Sequence, residues 1–253
     1  KADETFGIRL TSYHNLFLGT VLGFIGSALF VVSAKLPVAK IPEFKGIYSR
    51  IKQGAKIYFN TPRLKALLAL NLAIASASAV VIVNTVVLVQ STFKLTEHAT
   101  TWAFGLFGLG SMLLAFILPK VLDKFNDRTV MLTGTTILTI GLFSGYFIHS
   151  YAWLLALWFI LGVGYSVAQT PTGRLIRKSA SSENRTALFA AQFAFSHACW
   201  LITYPLVGWL STTFGTLFTF IPMAIIAVLA LIMATLLWSQ TDEEAKVHTH
   251  DNL

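Results

Sequence analysis

Residues 216–238 read Thr216-Leu-Phe-Thr-Phe-Ile-Pro-Met-Ala-Ile-Ile-Ala-Val-Leu-Ala-Leu-Ile-Met-Ala-Thr-Leu-Leu-Trp238, with no charged side chain. Crossing the hydrocarbon core of a bilayer takes roughly 20 apolar residues in a helix rising about 1.5 Å per residue. This stretch is long enough. Working outward, six more segments of similar character occur, at about 15–35, 63–89, 101–122, 129–149, 152–171 and 187–210. None carries Lys, Arg, Asp or Glu in its central part. Continuous runs of this length predict helices, because barrel strands read as alternating segments of about ten residues. The expected fold class is therefore all-α, a polytopic membrane protein with seven transmembrane helices.

Composition agrees. Of 253 residues, 55% are hydrophobic and 12% are charged, and mean hydropathy is +0.68. A soluble domain carries roughly 25% charged residues to wet its surface. Disorder needs low hydrophobicity and high net charge, so both classes are excluded. The net charge of +8 does not indicate a nucleic-acid partner, since the basic residues lie between apolar runs and not on one face of a soluble domain. The single cysteine, Cys199, excludes an intrachain disulfide. No cofactor or metal site is indicated.

The basic residues set the sides. Sixteen of nineteen fall in the stretch 35–65, the connection holding Lys120, Lys124 and Arg128, the loop 172–186, or the tail, against Lys1, Arg9 and Lys94 on the other side. Excess Lys and Arg mark the cytoplasmic face, so the amino terminus is expected outside and the carboxyl terminus inside. Residues 1–13 read as a loop entered from an earlier segment. In 42–59, Phe44, Ile47, Tyr48, Ile51, Ala55 and Tyr58 recur at helical spacing opposite Lys45, Arg50, Lys52 and Lys56. Pro42 and Glu43 suit its start. That pattern predicts an amphipathic helix at the membrane interface, either a linker between two halves or a plain anchor.

The most informative turn is Pro119-Lys-Val-Leu-Asp123-Lys124-Phe-Asn126-Asp127-Arg128. It resembles the Gly-x-x-x-Asp-Arg/Lys-x-Gly-Arg/Lys-Arg/Lys turn of the major facilitator superfamily of secondary transporters. Asp123, Lys124 and Arg128 match. Pro119 and Asn126 replace the glycines, Asn126 being expected in left-handed backbone, and Asp127 replaces a basic residue. Leu161-Gly162-Val163-Gly164-Tyr165 and Ser182-Glu183-Asn184-Arg185 resemble the family's tenth helix and the loop after it. Residues 50–68 resemble the entry to the seventh helix in exporters.

The resemblance implies helices six to twelve of a twelve-helix transporter. Residues 1–35 would be the last helix of an amino-terminal bundle whose remainder is missing. Residues 36–61 would be a cytoplasmic linker, 62–238 the carboxyl-terminal six-helix bundle, and 239–253 a cytoplasmic tail. It also implies alternating access, a small-molecule substrate, an efflux direction, and the bacterial inner membrane as the location. Asp123, Lys124 and Arg128 would form a conformational latch.

Within the spans, His197 is the one ionisable candidate for substrate or proton, the alternative being a bond to a helix carbonyl. Trp200 and Tyr204 share its side of the helix, while Gln192, Ser196, Cys199 and Thr203 form a milder polar stripe. Asn71, Ser78, Tyr165 and Gln169 complete the candidate cavity, or else join helices. Glycines at 19, 23, 26, 105, 108 and 110 predict close helix packing. His248 and His250 are either a metal tract or a solvated tail.

Rival readings fare worse. A retinal protein needs a lysine within 216–238, and a seven-helix receptor needs an acidic-Arg-Tyr motif after the third helix; neither is present. An intramembrane protease would pair Ser144 with His197, but their depths differ by roughly 7 Å along the helices. Hydrogen-bond reach is about 3 Å. An enzyme is not expected, and the alternative to a transporter is a receptor-like or accessory membrane protein.

Overall fold

The computed structural model describes residues 2–34 and 47–238, with side chains described for 17–34 and 51–238. The expected helix start at Pro42 and Glu43, Phe44, and the His248–His250 tail lie outside the described residues.

The chain forms two compact units, 1–43 and 44–253. The first holds α1 (Ala2–Ser33), whose apolar part is Phe17–Ser33. Residues 2–13, expected as loop, are helical. Neither proline nor a pair of turn formers interrupts them, and Asp3 and Glu4 suit a helix start electrostatically.

The second unit begins with α2 (Ile47–Asn60) and α3 (Pro62–Val86), the latter extended by one π-helical turn at Val87–Thr92. Then follow α4 (Glu97–Lys124), α5 (Asp127–Gly145), α6 (Tyr151–Gln169), the short α7 (Thr172–Ser179), α8 (Arg185–Phe214) and α9 (Phe220–Leu237). Among the described residues five helical stretches are long and apolar enough to cross a membrane: Pro62–Thr92, Glu97–Lys124, Tyr151–Ser179, Arg185–Phe214 and Phe220–Leu237. The protein is an integral, multi-pass, all-helical membrane protein. α5 is more polar, because Asp127, Arg128 and five threonines lie within it. Four of its six hydroxyls turn inward on the helix. Thr135 donates to the Met131 carbonyl at 2.9 Å, Thr136 to Leu132 at 2.8 Å, Thr139 to Thr135 at 2.8 Å and Ser144 to Ile140 at 2.9 Å. Such back-bonding satisfies hydroxyls without water.

Local signals open two of these helices. Pro62 occupies a first-turn position, where its missing N–H leaves no bond unmade. Ser150 accepts from the Trp153 amide at 3.3 Å and caps α6. Chain reversals put the starts of α3, α5 and α8 and the ends of α4, α6 and α9 at one end of the unit, which also carries most of its basic residues.

α3 is the hub. It packs on α8, α9, α5 and α6, while α4 and α5 pack on α6, and α5 on α9. α8 and α9 both rest on α3 but hardly touch each other. Around α3 lies an apolar core that includes Ile74, Val81, Leu138, Trp158, Met223 and Phe220. A second cluster at the basic end joins Tyr58, Leu67, Met131, Ile176, Leu188 and Trp238.

α4 and α6 approach closely through glycine. A Cβ on Gly110 would meet the Phe159 carbonyl oxygen, and one on Gly162 would meet that of Phe107. Backbone contact at a crossing leaves no room for a methyl. Gly105 and Gly108, expected to pack similarly, face open space. They lie on the other side of α4, so spacing alone misassigned them.

Candidate functional site: a charged clasp and an uncovered helix face

At the basic end, α5 starts with Asn126 as its cap, the side chain accepting from the Thr129 amide at 2.9 Å. Its backbone is extended, with φ −73° and ψ 154°, not left-handed as expected. The capping role explains the asparagine, since an Asn oxygen can satisfy an otherwise orphaned first-turn amide.

The next residue organises the region. Asp127 is fully buried. Lys178 Nζ donates to its Oδ2 at 2.5 Å, and Arg174 Nε lies 3.2 Å from Oδ1. The arginine contact lacks hydrogen-bond alignment, so Oδ1 is held by charge. Both cations come from α7 and sit four residues apart, hence on one helix face. The carboxylate also lies in the first turn of α5, at the positive end of that helix's dipole.

Arginines finish the neighbouring helix ends. Arg174 donates to the Leu122 carbonyl of α4 at 2.8 Å, Arg128 to that of Trp238 after α9 at 2.7 Å, and Arg63 to that of Lys178 at 3.2 Å. These carbonyls have no intrahelical donor, and cations suit the negative ends of helices. Asp127, Arg128, Arg174, Lys178 and Arg63 thus clasp α3, α4, α5, α7 and the end of α9 together.

Of the expected latch residues, Arg128 belongs to this clasp. Asp123 and Lys124 are exposed, and neither pairs with a described residue. The sequence reading missed Asp127, Arg174, Lys178 and Arg63. A signal was present in Arg174-Leu-Ile-Arg-Lys178, where three cations surround an apolar pair, Leu175 and Ile176, that is buried.

The second region is the outward side of α8. His197 is exposed, and its Nδ1 donates to the Phe193 carbonyl at 2.8 Å. That bond assigns the proton to Nδ1 and leaves Nε2 as the free nitrogen. The imidazole packs on the Phe193 ring with centroids 3.9 Å apart. One to two turns on, the Trp200 and Tyr204 rings are 5.1 Å apart. Tyr204 and Tyr165 of α6 pack against the same apolar core, and the Tyr165 ring lies 5.8 Å from that of Phe107 on α4. Gln169 is half-buried one turn beyond Tyr165.

The other expected cavity residues lie elsewhere. Gln192, Cys199 and Thr203 are buried on the inner side of α8. Tyr58 of α2 donates to Gln192 Oε1 at 2.5 Å, and burial pushes the Tyr58 phenol well above its ordinary pKa. Asn71 donates to the Leu67 carbonyl at 2.9 Å, and Ser78 is buried without a hydrogen-bond partner among the described residues, both inside the bundle. The face that α2 turns inward therefore includes Gly54 and Tyr58, while Ile51, expected on its apolar face, is exposed.

A bundle of apolar spans with a charged clasp at one end defines a polytopic membrane protein. A sequence model of the Major Facilitator Superfamily matches residues 66–252. The chain belongs to this family and is a membrane transporter. Comparison with curated proteins finds no match.

Proposed function

We propose that the chain is the second half of a twelve-helix secondary transporter that exports a small solute across the bacterial inner membrane by alternating access. The observation that carries this reading is uneven burial. In α3 72% of the apolar window is buried, against 17% in α4 and 22% in α8. α4, packed on α6, and α8, packed on α3, thus lie largely bare, as expected where a partner bundle and a substrate path face them. The five long spans become seven with α5, four of whose hydroxyls are internally satisfied, and with α1. The amino terminus then lies outside and the basic clasp inside.

In this reading His197, Trp200, Tyr204, Tyr165 and Gln169 face the substrate path. Nε2 of His197 makes no hydrogen bond to the described residues, which supports the proton as the coupling ion in this reading. Gln192 ties α8 to α2 through Tyr58, while Asn71 and Ser78 stay inside the bundle. The clasp around Asp127 and Arg128 serves as the latch, formed in one conformation and opened in the other. The parent gene tests the architecture. Five further spans upstream of Lys1 support it, and a start codon just before Lys1 overturns it. For coupling, equal transport rates and pH profiles in wild type and His197→Gln would remove the proton role.

A further inference from the structure

Because α8 and α9 rest on α3 without packing on each other, they leave a crevice of about 460 Å³ between them. That volume falls within the range of roughly 300–1,000 Å³ typical of ligand sites. Its floor is α3 from Lys65 to Leu72, about 10 Å of helix at ~1.5 Å per residue. Ala198 and Ile202 form one wall, Met233 lies on the other, and Phe59 of α2 lines the basic end. The lining is apolar apart from Lys65. Lys65 is half-buried, and its ammonium makes no hydrogen bond or ion pair to the described residues.

We propose that this crevice holds one acyl chain of an anionic phospholipid of the cytoplasmic leaflet, with the lipid phosphate on Lys65. The shape and charge are complementary to such a molecule. The long apolar slot lies among membrane spans, and its single cation sits seven residues towards the basic end, where headgroups lie. An ammonium at that depth is favourable beside anionic lipid and has no anion among the described residues to use instead. The leaflet assignment rests on the orientation proposed above, whereas the crevice and its charge do not.

The test uses the full-length protein in detergent, titrated with phosphatidylglycerol or with phosphatidylcholine of the same chains, and weighed intact by native mass spectrometry. Wild type is expected to retain one phosphatidylglycerol with about five-fold preference, the weight of one lysine near anionic headgroups. Lys65→Gln should bring the two lipids to parity. Ala198→Trp, which fills the slot, should abolish retention. Equal retention of both lipids by wild type overturns the proposal, as does a preference that survives Lys65→Gln. Lipid still held by Ala198→Trp places it elsewhere and also overturns it. Dimers that form without lipid and dissociate in Ala198→Trp make a second copy the occupant, with the same consequence. Orientation is read separately, from labelling of Lys52→Cys in a Cys199→Ala background by an impermeant maleimide. Labelling from outside intact cells refutes the orientation and leaves the lipid result standing.

Discussion

Replacing Asp127 by Asn removes a charge that the structure has buried completely while keeping the side chain's shape. Two cations then lose their partner. Breaking a deeply buried pair costs about 3–5 kcal/mol, because the remaining charge is stranded. Exposed pairs are worth only about 0–1 kcal/mol. Here the carboxylate is buried, but the Arg174 and Lys178 side chains are 35% and 46% exposed, so both can turn to water once released. Arg174 also keeps its bond to the Leu122 carbonyl. The loss therefore falls between the limits, at about 2 kcal/mol, including the helix-dipole contribution of about 0.3–1 kcal/mol at the start of α5. If the clasp is made in only one conformation, that energy shifts the balance of states by about 30-fold.

The assay is thermal unfolding in detergent together with transport in vesicles, with Asp123→Asn as control. Asp123 has no partner among the described residues, so its substitution should stay within about 0.5 kcal/mol. A double-mutant cycle between Asp127→Asn and Lys178→Met should give a coupling of at least about 1 kcal/mol. Asp127→Asn behaving like Asp123→Asn, or a coupling near zero, would refute the reasoning.

Gly162→Ala should lower stability by about 1–3 kcal/mol in the same unfolding assay, because its methyl meets the Phe107 carbonyl. Gly105→Ala, facing open space, should be neutral or slightly stabilising. Tyr58→Phe leaves Gln192 Oε1 without its donor and should cost about 1–3 kcal/mol, read as earlier release of α2 to protease. The raised Tyr58 pKa favours the neutral phenol in the folded state, so its contribution is complete below the unfolded value near 10 and is lost as pH rises above it. Wild type should therefore lose stability above about pH 10 more steeply than Tyr58→Phe.

Much of this molecule is written in local sequence. A run such as 216–238 offers the bilayer no charge to reject and can satisfy its backbone only as a helix, so span and element type follow from composition. Pro62 and Ser150 mark helix starts because capping depends on a few adjacent residues. Gly162 and Gly110, but not Gly105, meet a neighbouring backbone, because that depends on how α4 is rotated against α6. Gln192 and His197 lie five residues apart on α8, yet one is bound to Tyr58 in the interior and the other is exposed. The sequence could place both on one helix but could not say which side that helix buries. The charged turn shows the same division. Its residue types announced a cluster of ions, and by itself the sequence favoured Asp123 on spacing. Only the packing of α7 against the start of α5 decided that Asp127 takes the cations, because an ion pair depends on which side chains two separate helices bring within a few ångströms.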